Sequence, residues 1–179
     1  LLVAAAICNT PQAWSAQSVP YTSELGTPYG ISSEWYNTRG NGTKAWSNVT
    51  GDFGGQWGNT GCTNGIQYVY SETSDADAWL ISPEISLEAA KDYYLTIWVR
   101  TEFSPENFRV TVAEGDTPAQ QRAGTVLIDM NNETVMGRWK RLRKSFRVNE
   151  TGNYNFGLNC YSKANQFTLY VTGFSLTEG

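Results

Sequence analysis

Histidine is absent from this 179-residue chain. That removes the usual general base, the side chain that titrates near neutrality and the commonest transition-metal ligand. A Ser-His-Asp or Cys-His nucleophilic site is therefore impossible within the chain, and so is a His-ligated zinc. Charged residues are sparse at 17%, with a net charge of -4, a balance that argues against nucleic acid as the principal partner. The 17 Asp and Glu are scattered, so a glycosidase-like carboxylate pair stays open in principle but no pair is singled out. Helical patterning is also missing: there is no coiled-coil heptad, no internal repeat and no linker that would split the chain. The best helical stretch, Leu87 to Lys91, is barely a turn.

What is present is aromatic and turn-rich. Aromatics make up 13% of the chain, with 7 Trp and 10 Tyr, among 17 Gly. That mixture suits short strands joined by tight turns. Residues 17 to 64 are rich in Gly, Ser, Thr and Asn and read as one early strand, then loops with short strands. Further strands are expected at Ile66 to Tyr70, Ala78 to Ile81 and Tyr93 to Thr101, the last apolar on both faces for part of its length. Phe108, Val110 and Val112 alternate with Arg109 and Thr111, giving one buried and one wet side. Thr125 to Asp129 follows. Then Leu142, Lys144, Phe146 and Val148 alternate with Arg141, Arg143, Ser145 and Arg147. Lys144 in phase with Leu142 and Phe146 predicts an edge strand or a bulge. Asn153, Asn155, Gly157 and Asn159 are expected on an outer face, with Tyr154, Phe156, Leu158 and Cys160 inward. Phe167 to Val171 and Gly173 to Leu176 complete the set. Strands at roughly ten-residue spacing indicate a sandwich or barrel.

Leu1 to Cys8 is a small apolar run, too short to span a bilayer. Residues 1–16 read as the tail of an export signal cut near Ala13-Trp14-Ser15 or after Ala16. Two competing readings are a lipid anchor at Cys8, disfavoured by Ile7 before it, and a native segment packed on the domain. With Cys8 set aside, Cys62 and Cys160 are left either to bridge in an oxidising compartment or to remain buried thiols. Residues 17–179 are expected to form one domain.

The phrase Trp79-Leu80-Ile81-Ser82-Pro83 runs a strand into a proline that must end it or mark a sheet edge. Downstream come Trp139, then Gly152-Asn153-Tyr154-Asn155-Phe156-Gly157, Tyr161 to Gln166, and Leu169-Tyr170-Val171. In this order, over residues 18 to 177, these pieces resemble the choice-of-anchor J or cleaved-adhesin domain. The resemblance implies an all-β jelly-roll β-sandwich of two antiparallel sheets, MAM-like and galactose-binding-like. It implies a non-catalytic adhesion or carbohydrate-binding module, secreted or on the outer surface of a Gram-negative bacterium, with a glycan or a surface protein as partner. A structural spacer domain that binds no small ligand is the alternative. Adhesin versions resemble Asp-x-Asp-Gly-x-Gly after an early Trp, with a Leu-Asp-Asp near the C-terminus, as calcium ligands. Here Tyr36 to Gly42 and Tyr170-Val171-Thr172-Gly173 lack those carboxylates, so no cofactor is expected. Asp75 and Asp77, in the acidic loop from Glu72, are weak metal candidates set against a solvated turn.

Sugars stack their C–H faces on indoles and pair their hydroxyls with amides and carboxylates. On that logic Trp46 and Trp57, with Asn48, Asp52, Gln56 and Asn59 nearby, are the expected ligand-binding residues. The competing reading has each Trp plugging an end of the core. Trp79, Trp98 and Trp139, as strand residues, are assigned to the core. The basic run Arg138, Lys140, Arg141, Arg143, Lys144 and Arg147 suits either an anionic partner (acidic glycan, lipopolysaccharide, a phosphate-rich surface) or a charged edge that blocks strand pairing. Asn-x-Thr triplets at Asn41, Asn48, Asn132 and Asn149 are glycosylation acceptors only in a eukaryotic secretory path.

Overall fold

Two antiparallel sheets face each other across a core of alternating aromatic and aliphatic side chains. The computed structural model describes residues 15–51, 53, 55 and 57–179. Most of the expected export segment, including Cys8, therefore lies outside the described residues, as do Asp52 and Gln56.

The strands are β1 (Tyr21–Ser23), β2 (Gly26–Thr27), β3 (Gly30–Ile31), β4 (Tyr36–Arg39), β5 (Ser47–Thr50), β6 (Asn64–Val69), β7 (Ala78–Ile81), β8 (Ile85–Leu87), β9 (Tyr93–Thr101), β10 (Glu106–Ala113), β11 (Thr125–Glu133), β12 (Lys140–Phe146), β13 (Gly152–Cys160) and β14 (Thr168–Glu178), with one helix, α1 (Pro118–Ala123). The first sheet runs β12-β9-β14-β6-β5, and β1 pairs with β14. The second runs β11-β10-β13-β7-β4, and β8 pairs with β13. Strand β7 ends at Ile81, and the chain resumes pairing at Ile85 after Pro83, as a residue without an N–H requires.

Period-two alternation decides the inner faces. Leu95, Ile97 and Val99 of β9 meet Phe108 and Val110 of β10 and Phe156 and Leu158 of β13 in one cluster. Strand β12 is an edge strand, which resolves the misplaced Lys144: at the sheet's end it stays exposed. The stretch Leu87 to Lys91 is not helical. Leu87 closes β8, and Ala90 takes a left-handed φ of 67°, which ends any helical course.

The helix sits elsewhere. Thr117 caps α1 and Gln120 reaches back to it, with Pro118 at the first position, a capping box. This short helix lies on the outer face of the second sheet. Gln121, fully buried, accepts from Thr111 Oγ1 at 2.7 Å and donates to the Asn155 carbonyl at 3.2 Å. Gly157 allows that approach: a Cβ there would stand 2.6 Å from Thr111 Oγ1 and 2.8 Å from the Trp79 ring. The expected wet faces of β10 and β13 are therefore not wet, and Thr111, Asn155 and Asn159 are buried.

Cys62 and Cys160 are both free. Cys160 lies in the core on β13, whereas Cys62 lies on the outer side of the first sheet, beside Gly173. With the first sheet between them, the bridged reading fails. Burial pushes the Cys160 thiol up to about 12, which keeps it unreactive.

Candidate functional site

The outer faces of the two sheets differ in what covers them. On the second sheet, Trp79 is fully buried, with Arg109 and Arg122 guanidinium carbons each 5.6 Å from its ring centroid. Its Nε1 donates to Asp77 Oδ1 at 2.7 Å. Together with α1 these side chains close that face. On the first sheet the outer face stays open around Trp98.

Trp98 projects from β9 opposite the inward Ile97 and Val99, between Arg141 of β12 and Thr172 of β14. Its indole is half-buried and lines a groove of about 570 Å³. The groove crosses from Arg141 over Thr96 and Trp98 to the bulge at Gly173 to Ser175, then to Thr22 to Glu24, with Thr60 to Cys62 as its wall. The bulge is where β14 changes neighbour from β6 to β1. Among the described residues nothing accepts from the Trp98 N–H, so the half-buried ring carries a free donor into the groove.

The wall is tightly tied. Both Glu24 carboxylate oxygens accept from the 63–64 segment, Oε1 from Thr63 N at 3.1 Å and Oε2 from Asn64 Nδ2 at 2.8 Å. Thr60 Oγ1 donates to the Phe53 carbonyl at 2.7 Å, and Asn59 Oδ1 accepts from Gly61 N at 2.8 Å. Phe53 stacks on Trp139 at 5.2 Å, which lays this loop onto the same outer face.

Beside the groove stands a set of rings and cations. Arg100 has its guanidinium carbon 4.3 Å from the Tyr170 ring centroid, 5.0 Å from Trp57 and 5.5 Å from Trp139. Arg141 lies 5.8 Å over Trp98 and Arg143 5.0 Å over Tyr94. Such contacts hold a guanidinium in place; Arg141 and Arg143 stay exposed, whereas the Arg100 Nε is buried.

The structure scatters the residues expected to bind. Trp46 is 3% exposed and packs edge-on against Tyr68 and Phe108. Its N–H is spent on the Leu158 carbonyl at 3.2 Å, so it is core and not binding surface. Asn48 donates to the Thr27 carbonyl and ties β5 to β2. Trp57 and Asn59 do lie in the loop beside the groove, Trp57 half-buried as a roof over Arg100. Asp75 pairs with Lys163 at 3.0 Å and accepts from Ala164 N, and these contacts hold its carboxyl below the usual range. Asp77 is ion-paired with Arg122 and takes three further donors, Asn41 N, Trp79 Nε1 and Asn159 Nδ2. Burial opposes its ionisation, but these donors outweigh it and its pKa is lowered. Carboxylates spent on protein donors and cations fit a structural role better than a metal-ligand role, and among the described residues no group of three or more acidic or cysteine side chains gathers to hold a metal.

Trp98 is the residue that strand membership alone misassigns to the core. The available signal was its phase: Tyr94, Thr96, Trp98 and Arg100 share one face of β9, and Thr and Arg in that set mark it as wet.

Gly173 makes the groove possible. Its φ is +66°, and a Cβ would stand 2.9 Å from Trp98 Cδ1 and 3.3 Å from Cys62 Sγ. Gly173→Ala is expected to cost about 1–3 kcal/mol of stability and to turn the indole out of place. A urea titration read by tryptophan fluorescence checks both. Unchanged midpoint and emission would show that the bulge tolerates a side chain.

No family model matches this sequence, and no curated protein does. Solved structures do match. The K1 cleaved adhesin domain of Lys-gingipain from Porphyromonas gingivalis W83 aligns with a TM-score of 0.65 at 13% identity, covering 89% of this chain and 98% of that one. The K2 domain of the same protein aligns at 0.62 and 14%, covering 90% and 99%. TmCBM61, solved with beta-1,4-galactotriose, aligns at 0.64 and 18%, covering 89% and 99%. At these identities the likeness is one of fold: the chain is an all-β jelly-roll sandwich of the kind seen in cleaved adhesin domains and carbohydrate-binding modules.

Proposed function

We propose that this chain is a non-catalytic carbohydrate-binding or adhesion module, and that it takes a glycan in the groove at Trp98. The carrying observation is a half-exposed indole with an unspent N–H, lining a groove of about 570 Å³ on the open face of the first sheet. A sugar ring can pack beside Arg141 on the part of the indole that the guanidinium leaves open, while Thr96, Ser175 and Thr22 meet its hydroxyls. Two kinds of structural neighbour point the same way, adhesin domains and a module solved with a galactotriose. The reading includes membership of the choice-of-anchor J family, export with residues 1–16 as the end of its signal, display on a Gram-negative surface, and binding without a metal cofactor.

The test is a glycan array followed by titration of any hit against Trp98→Ala. Stacking on one indole is worth about 1–3 kcal/mol, by analogy with base–aromatic stacking, so affinity is expected to fall roughly 10- to 100-fold while the fold survives. A ligand bound only by the native state must also raise the melting temperature of the wild type. An array without hits, with melting unmoved by any sugar, would favour the spacer role.

A further inference from the structure

We infer that the glycan this face takes is anionic, carrying carboxylate or sulfate groups; the inference rests on the binding reading just given. The chain is acidic overall, at -4, yet Arg100, Arg141 and Arg143 gather on one outer face. Among the described residues none of the three has a carboxylate partner. The side chains that do form ion pairs are Lys91, Arg122, Lys140, Arg147 and Lys163. The carboxylate lining the groove, Glu24, has both oxygens committed to Thr63 and Asn64, so it keeps its charge but makes no ion pair with Arg141.

Protection of an edge strand explains charge on β12 but not this pattern. Arg100 sits on β9, which is paired on both sides, and each of the three guanidinium groups lies over a ring rather than out along the edge. Stacking fixes the plane and leaves the fork free for a two-point contact with carboxylate or sulfate. Arg141 and Arg143 are exposed and two residues apart on one face, about 7 Å by strand geometry. They are the contact groups. Arg100, roofed by Trp57, adds positive potential behind them.

The experiment pairs each acidic polymer with its neutral counterpart: polygalacturonate with its methyl ester, chondroitin sulfate and heparin with their desulfated forms. Alginate and linear polyphosphate complete the set. Binding is followed by calorimetry at rising salt. At least one acidic glycan is expected to bind about tenfold or more tightly than its neutral partner, with affinity falling as salt rises. The double variant Arg141→Gln, Arg143→Gln is expected to lose roughly 100-fold toward it, and to melt with the wild type because both side chains are exposed. Equal binding of acid and ester, both lost in Trp98→Ala, would overturn the anionic assignment and leave the carbohydrate reading intact. Polyphosphate binding as tightly as any acidic glycan would overturn it in favour of charge alone. Binding of nothing in the set would overturn the anionic assignment and leave the carbohydrate reading to the array and the melting readout.

Discussion

Trp46→Ala is expected to remove about 3–5 kcal/mol of stability, while Trp98→Ala, on the outer face of the first sheet, costs little. The difference follows from where the rings sit. Trp46 is 3% exposed, meets the rings of Tyr68 and Phe108 edge-on at 6.2 Å each, and donates to the Leu158 carbonyl across the core. Its removal leaves a cavity, takes a buried donor from the Leu158 carbonyl and strips two aromatic partners of their edge contacts. Domains of this size hold about 5–15 kcal/mol in total, so the variant is expected near the limit of folding. Urea denaturation compares the two variants directly. If Trp46→Ala lay within 1 kcal/mol of the wild type, Trp46 would not be a core residue and the loop would return as the binding surface.

Stability is also expected to fall as pH rises through neutrality, because of one carboxyl group. Glu106 is fully buried at the start of β10, and burial lifts its pKa from 4.5 to about 8. Ser162 Oγ donates to its Oε2, but its Oε1 has no partner. Between pH 4.5 and 8 the native state keeps the proton and the unfolded chain has lost it. The native state therefore binds more protons, and unfolding becomes easier as pH climbs through that window. Below about pH 4.5 both states are protonated and this group contributes no slope. Across the window the loss amounts to about 3–5 kcal/mol. The neighbouring Tyr68 hydroxyl and Cys160 thiol are held by burial up to about 12, so neither titrates in this range. Glu106→Gln keeps the shape and removes the proton, so its stability is expected to stay level where the wild type declines. Denaturation midpoints at pH 5, 6, 7, 8 and 9 settle the point. Parallel curves for the two proteins would mean that Glu106 ionises in place.

Much of the framework was legible in local pattern. Ala78 to Ile81 and Tyr93 to Thr101 are strands with the expected bounds, because dense β-branched and aromatic runs closed by Pro or by charge leave little choice. The inward course of Phe156, Leu158 and Cys160 and the edge position of Lys144 followed from alternation alone. The helix carried a readable signal in Thr117-Pro118-Ala119-Gln120, but at six residues it is too short to show periodicity. The site was less legible. An Asn- and Gly-rich loop with two indoles has the composition of a binding loop whether its rings point out or in, and here Trp46 points in.

The sequence by itself determined an all-β chain of short strands, most of its inner faces and the absence of histidine chemistry, since each depends on neighbours one or two residues apart or on composition, while the choice of sandwich over barrel came from the family resemblance. Only the tertiary structure decided which outer face is open. Thr111 and Asn159 look as wet in sequence as Thr96 and Arg100. The first pair disappears under α1 and Trp79, while the second borders a groove, because cover comes from segments remote in the chain, whose docking no alternation records.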